Sequence, residues 1–440
     1  MTEDLKAQLQ DLLPEWLPRQ RWYSGSDAPA QVEVTNLEVL VSGGTDQPGV
    51  AGFASVIVRA DGIDWHVPVG WRTAAEVPPS VADREGAVIG ILKVDGDLVT
   101  AFDAPPDQDL AVHFHCLVTG EDTRPDHVRP VDAEQSNTSL VSDDRIVLKL
   151  FRRLMPGANP DVEVPSALGS AGFPNVPEVH GVWRRGGYDL AVAQTYLPGA
   201  TDGSALALAS LRECLGSGES PELSGGDFGA EAARLGQMTG ELHVALARAF
   251  GSEEGTPKQW AADLARDLER AGVDTGRAAD LLGRLESVGS PGAAIRGHGD
   301  YHLGQVLRAD AGWFVLDFEG EPDRTADERA RRSSPLRDLA GIVRSLDYAA
   351  AIALAEHVDD DRQRHEPLAA AWVAHNSDAM QVGYLATEGL EELLPDPVDR
   401  PVVLAAFQLE KAIYELNYER AHRPEWEWIP AAAIEGLLTG

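Results

Sequence analysis

The sequence predicts an α+β fold of two lobes, sheet-rich over roughly the first 200 residues and helical thereafter. Three observations carry this. Strand-like alternation recurs in the first half, as in VEVTNLEVLV and FASVIVRADGIDWHVPVGW. After Gly203 the apolar residues recur at threes and fours instead, with Leu235, Met238, Leu242 and Leu246 on one face. Between the two patterns, Pro198-Gly199 breaks the last strand-like run.

The elements follow in order. A short helix spans Leu5 to Leu17, and strands follow, two of them joined by a hairpin at Asp61-Gly62. From about 101 to 200 the runs DLAVHFHCLV, NTSLVSDDRIVLKLF and YDLAVAQTYL read as further strands. Asp227 caps the helix carrying Leu235 to Leu246, and helices continue to the end. The last long one is capped by Asp399 and opened by Pro401; its apolar stripe is Ala406, Leu409, Ile413 and Leu416. No internal repeat or low-complexity tether interrupts the chain, so the breaks near 100 and 200 divide it into 1–100, 101–200 and 201–440.

Composition narrows the function. Of 440 residues, 71 are acidic and 37 basic, a formal charge of −34, so the surface repels nucleic acid and anionic membranes and favours a small-molecule partner. Two scattered cysteines, Cys116 and Cys214, make neither a disulfide framework nor a cysteine metal site and suit a reducing cytoplasm. The beginning has acidic residues and periodic leucines, unlike a signal peptide, and no apolar run approaches the roughly 20 residues that span a bilayer.

The chemistry concentrates in IRGHGDYHLGQVL, Ile295 to Leu307, and FVLDFEGEP, Phe314 to Pro322. Two apolar runs each stop at an aspartate, Asp300 and Asp317, and a desolvated carboxylate asks for a cation. A turn through Asp310-Ala311-Gly312 makes a hairpin whose outer ends bring Gln305 and Asp317 together, with Asp300 just before it. With a sheet-rich first half and a helical second half, this Asp-loop-Asp unit resembles the protein-kinase-like fold of aminoglycoside and choline kinases. The resemblance implies a bilobal kinase-like fold in which Asp300 orients the attacking hydroxyl and takes its proton. Gln305 and Asp317 then suit Mg²⁺, which prefers hard oxygen donors, and Glu319 is a further candidate ligand. The plain alternative is that these carboxylates are turn formers and caps. His298 and His302 read as loop-shaping hydrogen-bonders, since zinc would want three or four nitrogen or sulfur donors.

Such a fold grips ATP from its sheet-rich lobe. AEQSNTSLV, Ala133 to Val141, is a small polar turn entering a strand, where backbone amides and the side chains of Ser136, Asn137, Thr138 and Ser139 suit phosphate oxygens. It lacks the glycines of most phosphate loops. Lys149 in RIVLKLFRR alternates with apolar neighbours and suits the α- and β-phosphates, with Glu163 as its partner; an exposed strand lysine and a solvated helix glutamate are the alternatives. Gln194, Tyr196 and Leu197 in QTYLP stand where an interlobe hinge offers backbone groups to adenine, or form an ordinary strand exit. Asp338 in SPLRDLAGIVRSLDYAA suits a buttress for the catalytic loop.

The likeness is closer than fold. WLPRQRWYSG, EQSNTSLV, KLFRRLMPGANPDVE, GGDFGAEAARLGQMTGELHVAL, HGDYHLGQVLRADAGWFVLDFEGEP, SPLRDLAGIVRSLDYAA and EKAIYELNYERAHRPEW together look like the actinobacterial maltokinases and their relatives, the glucosamine kinases included. That family implies an N-terminal cap subdomain (1–100), to which RQRW, Arg19 to Trp22, belongs, an intermediate subdomain (101–200) and a helical C-lobe (201–440). Two departures from the maltokinase pattern bear on the substrate: Ser204 replaces an aromatic, and RPEWEWIP carries Glu427 and Trp428. They point to glucosamine, phosphorylated on its 6-hydroxyl, over maltose phosphorylated at C1. A kinase-shaped but inactive sugar-binding protein is the remaining class, against which the set Lys149, Asp300, Gln305 and Asp317 argues. On the last long helix Glu410, Tyr414 and Asn417 form a polar stripe, either solvated or a sugar-binding edge. In the second case Glu410, Glu427 and Asp300, beside His302, surround an ammonium group, and Trp426 or Trp428 stacks on the ring.

Overall fold

A computed structural model describes residues 2–26, 29, 31–42, 51–131, 136–321, 324, 326–329, 331–357 and 359–439. Ala133, Glu134 and Gln135 of the polar turn lie outside the described residues. The chain forms two compact units, one of residues 1–166 and 177–198, the other of 167–176 and 199–440.

The first unit holds two antiparallel sheets. One is built from β1 (Val32–Val41), β2 (Gly52–Ala60), β3 (Ile63–Arg72), β4 (Val88–Val94) and β5 (Asp97–Asp103), in the order β1-β2-β3-β5-β4. The hairpin at Asp61-Gly62 forms as expected, both residues having positive φ (52° and 78°), the conformation a tight hairpin turn demands. Helix Thr2–Trp16 buries Leu5, Leu9, Leu13 and Trp16, one residue per turn, against this sheet's core. The same helix closes both sheet edges. Gln8 exchanges two hydrogen bonds with the backbone of Lys93 on β4, and Gln10 accepts from Val34 N at 2.7 Å and donates to Val32 O on β1. An exposed edge would otherwise offer its unpaired amides to another chain.

The second sheet runs β10-β11-β8-β7-β6, with β6 (Val128–Val131), β7 (Asn137–Ser142), β8 (Ile146–Phe151), β10 (Val179–Arg185) and β11 (Tyr188–Thr195). A two-residue strand β9 (Arg153–Leu154) follows β8 after the single residue Arg152 but pairs with β3, so the chain passes there from one sheet to the other.

One expected strand is a helix. DLAVHFHCLV lies within helix Gln108–Thr119, capped by Asp107, whose carboxylate accepts from Asp109 N and Leu110 N, and ended by Gly120 at φ 73°. Its buried residues Leu110, Ala111, Phe114 and Val118 are spaced for a helix, and a short apolar run fits either period until its caps are weighed.

The second unit is helical, its longest members being Gly229–Phe250, Leu336–Ala355, Asp359–Leu385 and Arg400–His422. Asp227 opens the first of these by accepting from Gly229 N at 2.8 Å. Asp399 occupies the cap position of the last, though its side chain makes no capping bond. Within this unit lies the expected hairpin, Val306–Ala309 paired with Gly312–Val315. Among the described residues no helix is long and apolar enough to cross a membrane.

Candidate active site

The loop before the hairpin is held by backbone contacts. Gly299 adopts φ 90°, a conformation that L side chains rarely take, and so turns the chain between His298 and Asp300. Behind it, Asp338 accepts from His298 N at 2.7 Å and Gly299 N at 3.1 Å, while His243 meets the same carboxylate at 3.3 Å. Burial alone would favour neutral Asp338, but the His243 bond, the two imidazoles and the His298 N–H hold it well below the usual carboxylate range. Helix Leu336–Ala355 approaches so closely that a Cβ on Gly341 would stand 2.6 Å from the Tyr301 carbonyl. His298 Nε2 donates to Leu316 O at 2.8 Å, tying the loop to the strand leading to Asp317. Asp338 and His298 thus shape the loop, as the sequence suggested.

The cation demanded by Asp300 is Lys411, a residue that sequence reasoning missed. Its Nζ bridges Asp300 Oδ1 at 2.9 Å and Glu321 Oε1 at 3.0 Å. Burial opposes its charge, yet Asp300, Glu321 and Glu415 together raise its pKa above the ordinary value. Glu321 is buried too, but Lys411, Arg337 and Arg324 lower its pKa to about 2. Asp300 is thus held in place with one oxygen on Lys411. His302 Nδ1 accepts from Gly304 N at 3.1 Å, which leaves the other ring nitrogen facing Asp300 Oδ2 at 3.8 Å, and burial lowers its pKa.

Beside Asp300 opens a cavity of about 490 Å³ lined by Ser204, His302, Tyr348, Lys411, Tyr414 and Glu415, among others. That volume suits a small ligand, since such pockets span roughly 300–1,000 Å³. The face of helix Arg400–His422 turned to it carries Lys411, Tyr414, Glu415, Tyr418 and Glu419, one residue on from the expected polar stripe. Here the expectation is corrected. Glu410 is bound by Arg324 at 3.0 Å and Arg337 at 3.1 Å, and Asn417 lines a separate hollow with Asp267 and Arg270. One step along a helix rotates a side chain by about 100°, enough to move it to another wall. Tyr414 does line the cavity, with Lys411 4.7 Å from its ring. Glu427 is half-exposed and paired with Arg420 at 2.8 Å, Trp426 faces Arg423, and Trp428 is exposed beneath Arg362; none of the three lines the cavity.

At the hairpin's outer ends Gln305 Nε2 lies 3.4 Å from Asp317 Oδ2, so the amide and the carboxylate face one another as the spacing implied. Asp317 has φ 58°, a left-handed conformation that non-glycine residues hold only where the surroundings impose it, often at functional sites. Glu319 follows two residues on, its carbonyl accepting from Arg329 at 2.9 Å. The amide oxygen and the carboxylates are hard donors of the kind Mg²⁺ takes.

In the first unit Lys149 and Ser139 are directly paired across β8 and β7, so their side chains share one face, and Asn137 lies on it too. Thr138 points the other way, and its hydroxyl accepts from Arg152 Nε at 2.8 Å; it is therefore removed from the set expected to meet phosphate. Ser136 is exposed just before β7, its hydroxyl 3.4 Å from Asn137 Nδ2. Lys149 Nζ meets Asp161 Oδ2 at 2.5 Å, a partner the sequence reading did not name. Asn159 Oδ1 accepts from Asp161 N and so starts the helix Pro160–Ser170 with Asp161 turned to the strand. Glu163, two residues on, is rotated by about 200° and exposed. Gln194 Nε2 donates to Asp161 O at 3.3 Å, and after it Tyr196 N donates to Arg145 O, with Leu197 and Pro198 ending the unit.

A carboxylate beside a ligand-sized cavity, an amide-carboxylate pair of hard donors and a buried lysine-aspartate pair are together the parts of a phosphoryl-transfer enzyme. Residues 127–372 match the phosphotransferase enzyme family, and 16–107 match the maltokinase N-terminal cap domain. The chain belongs to the phosphotransferase enzyme family. This phosphotransferase is 30% identical over 421 residues to the glucosamine kinase of Streptacidiphilus jiangxiensis, with 88% of its own length and 89% of the relative's covered. It is 28% identical over 336 residues to that of Mycolicibacterium smegmatis strain ATCC 700084 / mc(2)155, covering 70% and 79%. Among solved structures, a glucosamine kinase in crystal form B superposes with a TM-score of 0.69 at 23% identity over 98% of this chain and 99% of that one. A glucosamine kinase in complex with glucosamine, ADP and inorganic phosphate does so with 0.65 at 23% over the whole of both chains. The kinase-like α+β fold is thereby shown, and the enzyme is an ATP-dependent sugar kinase.

Proposed function

We propose that this phosphotransferase transfers the γ-phosphate of MgATP to the 6-hydroxyl of glucosamine. The observation that carries this is the cavity at Asp300, whose walls add further carboxylates. Glu415 is open to it at 11% side-chain exposure, as Asp300 is at 18%, whereas Glu419 is covered at 2% by Arg423 and Tyr348. Burial raises the pKa of Glu415, with Arg344 and Lys411 drawing it back. Glu415 therefore replaces Glu410 and Glu427 as the proposed partner of the amino group, because a charge-assisted bond outweighs a neutral one. Ser204, standing where maltokinases carry an aromatic, lines the same cavity and takes away a stacking platform for a second ring.

In this reading Asp300 aims the hydroxyl and receives its proton, Lys411 holds that carboxylate in place, and His302 closes the wall behind it. The face carrying Lys149, Ser139 and Asn137 takes the nucleotide phosphates, and the Gln194 to Leu197 segment takes adenine. Gln305, Asp317 and Glu319 would hold magnesium, which supplies charge neutralisation on the phosphates. The division into cap, intermediate and helical parts and a cytoplasmic location belong to the same proposal.

The test is kcat/KM with ATP for glucosamine, glucose, N-acetylglucosamine and maltose, in wild type and Glu415→Gln. Glucosamine should lead, and its advantage over glucose should fall about tenfold in the variant, the worth of one charge-assisted bond. Maltose as the best acceptor, or an undiminished advantage, overturns the amino-sugar reading.

A further inference from the structure

Arg152 has no exposed surface and stands at the step where the chain leaves β8 for β9. Its carbonyl accepts from His66 N on β3 at 2.7 Å, and its guanidinium is divided three ways. Nη1 and Nη2 hold both oxygens of Asp103 at 2.9 and 2.6 Å, the ring of Trp22 lies 4.7 Å beneath Cζ, and Nε donates to the Thr138 hydroxyl at 2.8 Å. Trp22 and Asp103 belong to the region matching the cap domain; Thr138 and Arg152 belong to the region matching the phosphotransferase family. The bidentate carboxylate already balances the buried charge, so the bond to Thr138 is not needed for neutrality. What it fixes is the first turnless stretch of β7, where Thr138 lies between Asn137 and Ser139, two residues on the Lys149 face.

We propose that Arg152 is a positioning residue for the nucleotide: by gripping Thr138 from behind, it lets the cap set the height at which Asn137 and Ser139 present themselves to the phosphates. Trp22, the end of the RQRW segment, thereby gains a role in nucleotide affinity. The inference rests on the reading that the Lys149 face takes ATP. Thr138→Val removes the acceptor while keeping the branched shape, and Thr138→Ser restores it. Calorimetry with a non-hydrolysable ATP analogue should show about tenfold weaker binding to Thr138→Val and near-normal binding to Thr138→Ser. KM for ATP should rise in parallel, while kcat and KM for the sugar stay within about twofold. A merely structural bond would lower Tm and leave the analogue's affinity unchanged, and that result overturns the proposal. Lys149→Met separates the two readings. Unchanged analogue affinity in Lys149→Met removes the nucleotide face itself, whereas weakened affinity there with unaffected Thr138→Val removes only the grip of Arg152.

Discussion

Asp300→Asn is expected to cut kcat by about 10² to 10⁴-fold, the range for losing a positioned general base, while nucleotide affinity stays within about twofold. The substitution keeps the shape and the contact distance, so the loop held by Asp338 and His298 has no reason to move. What it loses is the oxygen proposed to receive the proton, together with one of the carboxylates that face Lys411. Lys411 retains Glu321 as a partner at 3.0 Å, so the buried ammonium is not left alone and the variant should fold. Single-turnover kinetics beside calorimetry separate the two effects. Near-normal turnover in a folded variant would remove Asp300 from its role.

The second large effect is expected from Asp317→Ala. A carboxylate held at φ 58° opposite Gln305 is a group the fold strains to place, and alanine at that angle loses the donor without any compensating contact. Losing one proposed hard ligand should lower kcat/KM by about 10² to 10³-fold, several kcal/mol of transition-state charge stabilisation. It should also remove the dependence of ADP affinity on added Mg²⁺, a readout independent of turnover. Gln305→Asn keeps the amide and shortens its reach, and should lose much less. Magnesium-dependent ADP binding that persists unchanged in Asp317→Ala would move the metal role elsewhere.

The lobes, the hairpin and the facing of Gln305 and Asp317 were legible because each rests on local periodicity or on a spacing within about 25 residues of chain. The misreadings share one cause. The periodic pattern around Glu410 correctly marks a helix with Leu409 and Ile413 inward, but two polar stripes flank that core, and sequence alone does not say which borders the cavity. Asp161 was missed as a partner of Lys149 because only the start of its helix at Asn159 turns it to the strand. Thr138 could have been excluded from sequence, since it alternates with Ser139, but only once the pairing of Ser139 with Lys149 is known. Lys411 was hidden because a lysine beside an apolar stripe looks solvated. Its partners, Asp300 and Glu321, lie about 100 residues away, and tertiary packing brings them together.

The bond proposed to form joins the γ-phosphorus of ATP to the oxygen on carbon 6 of glucosamine, and proton-coupled ³¹P spectroscopy of the product of a MgATP and glucosamine reaction reads it directly. A phosphomonoester signal split into a triplet by the two protons on carbon 6, appearing with ADP in equal amount, is the predicted result. A doublet, which places the phosphate on a carbon bearing a single proton such as carbon 1, or ADP release with no sugar phosphate formed, would contradict it.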